Sequence, residues 1–288
     1  MTTGKTVLRA PLGILATATA TYGTGRDDDI TLPRLPGFVE SAFSPLAFEA
    51  ARRCLTERPG DGSRTAVALA TLMGDTTTAD LASRRMVSGR VHNPLLFMQA
   101  TANSVLGYTS QEFGITGQMF SLSTVDDPVG ELLAMADLLL EDPELDRVLV
   151  LGVELGGGER VAAAYRELTS GTGRPVPDLP GSGGLAAAVL LGRACAEAPV
   201  TVRSAETYDA DGTDGTDGTA DAGRPGSIQG LFDLAAVHRR LLRDGGSHLL
   251  VTEPDTRRGP TAFVLGTDPQ APPKALPAGN ETETHAHQ

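Results

Sequence analysis

The sequence has few cysteines and no long hydrophobic run. Its 288 residues contain two cysteines, Cys54 and Cys195, and neither has another thiol at the spacing of metal ligands. We expect both to be buried free thiols. The longest apolar runs, Val148 to Leu151 and Leu185 to Leu191, are well short of the roughly 20 residues that a membrane-spanning helix needs.

Basic residues are also scarce relative to acidic ones. The chain has 24 Lys and Arg against 36 Asp and Glu, which gives a formal net charge of −12. Such a surface repels nucleic acid and anionic membranes, so neither is an expected partner. The N-terminus lacks the layout of a secretory signal, so we expect a cytoplasmic protein.

Apolar segments of strand length alternate with segments that have helical periodicity. Thr6 to Thr21 and Arg64 to Leu72 are predicted strands. A helix between them should begin with Ser44 as N-cap and Pro45 in the first turn, and Asn93-Pro94 and Asp127-Pro128 repeat that start signal. This alternation predicts an α/β fold with a mainly parallel, buried sheet.

Two polar segments interrupt this pattern. Residues 209–226 repeat Asp-Gly-Thr and residues 267–288 are rich in proline and polar side chains, so we predict a disordered linker and a disordered tail. The repeat also suggests a calcium loop, but it has no apolar residues that would seat one. We therefore predict one domain over residues 1–266, interrupted by the linker.

The segment from Asn93 to Leu155 has the layout helix, strand, helix, strand. Pro94, Asn103 and Gly107 lie at the spacing found in the helix that precedes the nucleophile of the β-ketoacyl synthases. The layout resembles the nucleophile-bearing core of that family, a branch of the thiolase-like enzymes. The resemblance spans roughly residues 5 to 266 and implies a thiolase-like layered fold.

The nucleophile of the family is missing. Gly117 matches the glycine that opens the nucleophile strand, and the family has its active-site cysteine nine residues later, where this chain has Asp126. A carboxylate at a helix start is held anionic by the helix dipole and is a poor nucleophile. The downstream match continues in Leu149 to Glu154, which ends in LGVE, and in Gly259 to Leu265.

The second half of the family fold is shortened here. That half supplies two catalytic histidines in a ketosynthase, and the portion with the first one is missing beyond residues 209–226. For the second, the family has Gly-His at the start of a late helix, where this chain has Gly230-Leu231. We expect His238, farther along that helix, to be an exposed helical residue.

The resemblance therefore implies a chain-length factor, a subunit that resembles a ketosynthase but lacks its catalytic residues. Such a subunit pairs with a catalytic ketosynthase as a heterodimer and forms part of the acyl tunnel. The pairing surface would be the Pro94 helix and the strand Met119 to Val125. The acyl carrier protein, itself acidic, would dock through the partner, and neither a cofactor nor a metal is implied. The residues expected near the tunnel floor are Met73, Leu96, Phe97, Thr101 and Phe120.

Other interpretations stay open. Each of the five tunnel residues has ordinary core packing as an alternative role. The chain is alternatively a ketosynthase-like decarboxylase or acyltransferase that uses Asp126, Asp127 or Ser123. A third possibility is a homodimeric scaffold, which differs from the heterodimer in being monodisperse when made alone.

Overall fold

The computed structural model describes residues 2–3, 8–89, 95–123, 127–157, 159–170, 183–195, 197–205, 207–208, 228–252 and 261–267. Its strands are β1 (Thr2–Thr3), β2 (Leu12–Tyr22), β3 (Thr65–Ala70), β4 (Met119–Leu122), β5 (Arg147–Leu155), β6 (Gly184–Arg193), β7 (Val200–Ser204), β8 (Thr207–Tyr208), β9 (Ser247–Val251) and β10 (Ala262–Thr267). Its helices are α1 (Phe43–Glu57), α2 (Thr76–Val87), α3 (Leu95–Gln99), α4 (Ala102–Phe113), α5 (Pro128–Leu139), α6 (Glu159–Thr169) and α7 (Gln229–Asp244).

The main sheet has the strand order β4-β3-β5-β6-β2-β7-β10-β9. The prediction of a mainly parallel sheet is wrong, because the parallel pairs are β3 with β4 and β3 with β5 while the other neighbours are antiparallel. The helical crossovers do produce strands that run in one direction, namely β2, β3, β4 and β5. β6 runs the opposite way and lies between β5 and β2. It therefore separates β2 from the other three strands, which stay neighbours of one another.

Helices cover both faces of this sheet. α1 and α4 pack on one face around Phe43, Leu46 and Leu106, while α5 and α7 pack on the other around Leu132 and Leu231. The result is a layered α/β fold with three layers, helices on sheet on helices. A chain of 288 residues fits a thiolase-like fold whose second half is shortened. No helix of the described ranges is long and apolar enough to cross a membrane.

The proline start signals have different outcomes. Asp127 is the N-cap of α5 and accepts a hydrogen bond from the Gly130 amide at 2.9 Å, with Pro128 in the first turn, as predicted. The predicted start of α1 is wrong: its N-cap is Ala42, and Ser44 lies inside the helix. The Ala42 carbonyl accepts the first helical hydrogen bond, from the Leu46 amide at 3.0 Å, and the buried Ser44 hydroxyl makes no capping bond among the described residues.

The Pro94 helix is divided into two helices in the described residues. Pro94 itself lies outside them, α3 ends at Gln99, and α4 begins after Thr101, whose backbone is extended. The Met98 carbonyl accepts the Thr101 amide at 3.2 Å and the Thr101 hydroxyl at 2.8 Å, which closes α3 with a tight turn. α3, which buries only Leu96, and α4, which buries Val105, Leu106 and Thr109, are therefore separate helices.

The cysteines differ in burial. Cys54 is buried on α1, with its sulfur 3.6 Å from the Ala188 carbonyl, as predicted. Burial raises the pKa of its thiol, so it is unreactive. The prediction for Cys195 is wrong, because this residue follows the end of β6 and is exposed.

The predicted linker, residues 209–226, lies outside the described residues. So does the predicted tail from residue 268 onward, although β10 includes Thr267, the residue at which we expected the tail to begin. The domain boundaries therefore stay a prediction.

Candidate functional site

The candidate site lies where β3, β4 and β5 end. These three strands are parallel neighbours, and Ala70 pairs with Leu122 on one side and with Gly152 on the other. Residues that follow these positions therefore meet at one edge of the sheet. This is the edge at which the family resemblance places the nucleophile.

The turn after β3 is held by the two neighbouring strands. Oε1 of Glu154, near the end of β5, accepts a hydrogen bond from the Leu72 amide at 2.6 Å. The hydroxyl of Ser123, just after β4, donates to the Leu72 carbonyl at 3.0 Å. Glu154 is 1% exposed, and in the sequence it is recognisable only as part of the LGVE motif. A charged residue type inside an apolar strand was the signal for a specific contact.

The remainder of that turn is closed by its own side chains. The Thr71 hydroxyl oxygen accepts from the Gly74 amide at 3.1 Å, and Gly74 has a left-handed φ of 67°. Asp75 caps α2 by accepting from the Thr78 amide at 3.0 Å. Burial raises the pKa of the Asp75 carboxyl, while hydrogen bonds from Thr78 and Ser41 oppose that shift. Met73, between these groups, is half-buried.

Asp126, the residue at the nucleophile position, lies outside the described residues. Of its neighbours, Asp127 caps α5 and also accepts from the Thr252 hydroxyl at 3.1 Å, which ties the start of α5 to the end of β9. Both described candidates for replacement chemistry, Ser123 and Asp127, therefore have structural hydrogen bonds. Among the described residues, no group of three or more histidine, cysteine or acidic side chains is arranged to hold a metal.

The five predicted tunnel residues occupy different environments. Leu96 is 3% exposed, Phe97 is 48% exposed, and Thr101 is exposed. Phe120 packs against the α5 and α7 side of the sheet, opposite to α4. The shared tunnel role of these five residues stays a prediction.

A narrow crevice, with no room for a water molecule, lies near these residues. It contains none of the five, and it is lined by Phe38, Glu40, Ser41, Ser44, Asp75, Thr78 and Gln99. It is therefore distinct from the predicted tunnel.

An exposed apolar surface surrounds α3. Its members are Met86 and Val87 at the end of α2 and Leu95, Phe97 and Met98 on α3, and we call these five residues the α3 patch. Their exposed fractions range from 48% for Phe97 to 91% for Val87, and α2 and α3 contact each other. Large apolar side chains grouped in this way are typical of a protein interface.

β4 is an edge strand with an open side. The Val67 amide bonds to the Gln118 carbonyl at 2.9 Å and the Thr71 amide to the Leu122 carbonyl at 3.0 Å, so the even-numbered residues turn their backbone groups toward β3. Met119 and Ser121 consequently turn theirs away from β3, and no strand of the described residues pairs there. An open edge of this kind can accept a strand from another chain.

His238 is buried, so the prediction that it is exposed is wrong. It is 2% exposed, on the α7 stripe that also carries Leu234 and Leu241. Burial, with smaller contributions from Arg239 and Arg58, lowers its pKa to about 4. It is a neutral core residue at neutral pH.

Comparison with known proteins identifies the fold. No family model and no curated protein matches the sequence. Among solved structures, a chain of the ketosynthase ApeO in complex with its chain length factor ApeC from Xenorhabdus doucetiae is 14% identical with a TM-score of 0.56, over 88% of this chain and 99% of that one. A chain of the AntDE:AntF complex, a type II PKS acyl-carrier protein with its ketosynthase bound to the hexaketide, is 12% identical with a TM-score of 0.60, over 90% and 99%.

A third structure agrees with these two. A chain of the ishigamide ketosynthase/chain length factor is 16% identical with a TM-score of 0.57, over 82% of this chain and 83% of that one. At such low identity the likeness establishes the fold and not the activity. It confirms the resemblance found in the sequence: the chain has the thiolase-like fold of ketosynthases and chain length factors.

Proposed function

We propose that this chain is a non-catalytic, chain-length-factor-like subunit that pairs with a catalytic ketosynthase in polyketide or polyene chain elongation. The observation that carries the proposal is that α3, which carries most of the exposed α3 patch, and the open edge strand β4 both contact α4. The similar structures that support it are complexes of a ketosynthase with a chain length factor or a carrier protein.

The partner surface in this proposal is formed by α3 and β4. Obligate interfaces usually bury more than about 2,000 Å² and are apolar at their centre. Leu95 and Met98 are 56% and 64% exposed and supply apolar area, while the outward backbone groups of Met119 and Ser121 supply hydrogen bonds. A partner that covers α3 and the open edge of β4 would shield the apolar side chains from water and pair the backbone groups.

The contacts of the candidate site favour a structural role over chemistry. Ser123 donates to the Leu72 carbonyl, and Asp127 is occupied by Gly130 and Thr252. A serine nucleophile passes its proton to a base, whereas the Ser123 hydroxyl donates to a backbone carbonyl, and the Asp127 carboxylate is already bound by an amide and a hydroxyl. The alternative of a decarboxylase or acyltransferase therefore has no support from the described neighbours of Asp126.

In this account the acyl tunnel runs along the partner interface, with Met73, Leu96, Phe97, Thr101 and Phe120 contributing from this side. The carrier protein docks on the ketosynthase, because a subunit with a net charge of −12 repels another acidic protein at long range. The ketosynthase carries out the condensation and binds the carrier protein, and both chains together form the wall of the tunnel.

A matched pair of variants tests the pairing surface. Phe97 in the α3 patch and Leu242 on α7 are both 48% exposed, so Phe97→Asp and Leu242→Asp introduce the same charge at equal exposure. We expect Phe97→Asp to prevent co-purification with the partner ketosynthase and Leu242→Asp to leave it unchanged. Equal binding by both variants would remove the α3 patch from the interface.

A further inference from the structure

The hydrogen bond between Glu154 and Leu72 follows from the register of the sheet. The last paired residues of β3 and β5 are Ala70 and Gly152, and β5 continues to Leu155 while β3 stops. Two residues beyond that pair, Leu72 is level with Glu154. The Glu154 side chain takes the place of strand pairing for the Leu72 amide, at 2.6 Å and away from solvent. Such an enclosed carboxylate acceptor holds the backbone firmly.

Met73 follows the residue that is held in this way. Leu72 has its amide bound by Glu154 and its carbonyl bound by Ser123, so the peptide that leads into Met73 is fixed from both sides. A methionine side chain is flexible, so it limits the length of a tunnel poorly if its backbone also moves. When the backbone is held in place, the volume of the Met73 side chain alone determines where the proposed tunnel ends.

We propose that Glu154 is a positioning residue for the acyl tunnel, acting by holding the turn that carries Met73. This inference rests on the proposed function, since it assumes that Met73 faces a growing chain. It separates two properties of the products: Met73 sets their mean length, and Glu154 keeps the distribution of lengths narrow. Glu154 itself does not contact the substrate.

The experiment uses the complex with the ketosynthase and the variant Glu154→Gln, which keeps the size of the side chain. Hydrogen exchange is measured on the peptide that covers Thr71 to Thr76, and product lengths are measured by mass spectrometry. Gln still offers an acceptor oxygen to the Leu72 amide but lacks the negative charge that strengthens this hydrogen bond. We therefore expect exchange at that amide to become about tenfold faster and the product distribution to widen in both directions.

Glu49→Gln is the matched control. Glu49 is also a buried carboxylate, 8% exposed, but it binds Arg52 and Arg53 on α1 and not the turn. We expect it to alter stability without widening the product distribution. Widening of equal size in Glu49→Gln would attribute the effect to general loosening and overturn the proposal.

The proposal and the function on which it rests fail differently. Unchanged exchange and unchanged product lengths in Glu154→Gln, together with a shifted mean in Met73→Ala, would overturn the role of Glu154 and leave the tunnel intact. Unchanged lengths in Met73→Ala and in Glu154→Gln, with faster exchange in the latter, would remove the tunnel from this site. If Glu154→Gln does not assemble, Glu154→Asp, whose shorter side chain draws the carboxylate away from the Leu72 amide, is measured in the same way. Unchanged exchange at that amide in Glu154→Asp overturns the proposal.

Discussion

Nδ1 of His238 on α7 lies 3.0 Å from Oγ1 of Thr17 on β2, in the layer between helix and sheet. Its other ring nitrogen, Nε2, is buried and has no hydrogen-bond partner among the described residues. An imidazole in this position is neutral, because a charged ring would lack both solvent and a counter-ion. Because burial disfavours the charged form of this ring, the stability of the chain depends on pH.

The pH dependence has a definite sign. Burial lowers the pKa of His238 from 6.5 to about 4, so its contribution to stability is complete above pH 6.5 and is lost as the pH falls toward 4. Between pH 7.5 and pH 5 this group should cost about 2 kcal/mol of folding free energy. Thermal melting of complexes with the wild-type chain and with His238→Gln measures it: the wild type should lose more stability on acidification. Identical pH profiles would contradict a neutral His238.

Asp126 should perform no covalent chemistry. Asp126→Asn keeps the size and removes one negative charge just before the N-cap Asp127, so condensation by the complex should persist, with a stability loss of at most about 1 kcal/mol. Intact-protein mass spectrometry during turnover should find the acyl group on the ketosynthase only. An acyl group trapped on this chain would show that the chain reacts.

Carrier docking should be insensitive to the basic residues of α7. Arg239 is exposed, whereas Arg240 contacts His248 at 2.6 Å, so Arg239→Glu is the cleaner charge reversal. Because long-range repulsion from a chain of net charge −12 directs the carrier to the partner, turnover should stay nearly unchanged. Carrier titrations at low salt measure this, and a large rise in the apparent Michaelis constant would reveal a local docking patch.

Tunnel length should respond to side-chain volume on this side of the interface. Thr101→Trp and Leu96→Trp should shorten the products and Met73→Ala should lengthen them. Leu96 is 3% exposed, so its substitution also strains the isolated chain by about 1 to 3 kcal/mol, whereas exposed Thr101 tolerates the ring until a partner is present. Product mass spectrometry decides: unchanged lengths in all three variants, in an intact complex, would make these residues ordinary packing positions.

The features that sequence could predict here are local ones. The Asp127-Pro128 start of α5 depends on a side chain and an amide three residues apart, and it was predicted. The position of β6 between β5 and β2 depends on pairing between segments far apart in the sequence. The relative directions of neighbouring strands could therefore not be predicted.

The same limit applies to side chains in the candidate site. His238 belongs to the buried stripe of α7 only because that helix lies across β2, and a single polar residue at such a position reads as exposed in the sequence. Glu154 contacts Leu72 because β5 extends beyond β3, which is a property of register. The family resemblance located the segment that contains the site, and long-range packing determined its contacts.

The most direct test of the account is the composition of the particle that this chain forms. The chain is produced alone and together with its proposed ketosynthase partner, and each sample is measured by size exclusion with light scattering. The account predicts aggregation of the chain alone, because the α3 patch stays exposed, and a stable complex with one copy of each chain after co-expression. A monodisperse chain that is soluble alone and does not bind the ketosynthase would contradict it.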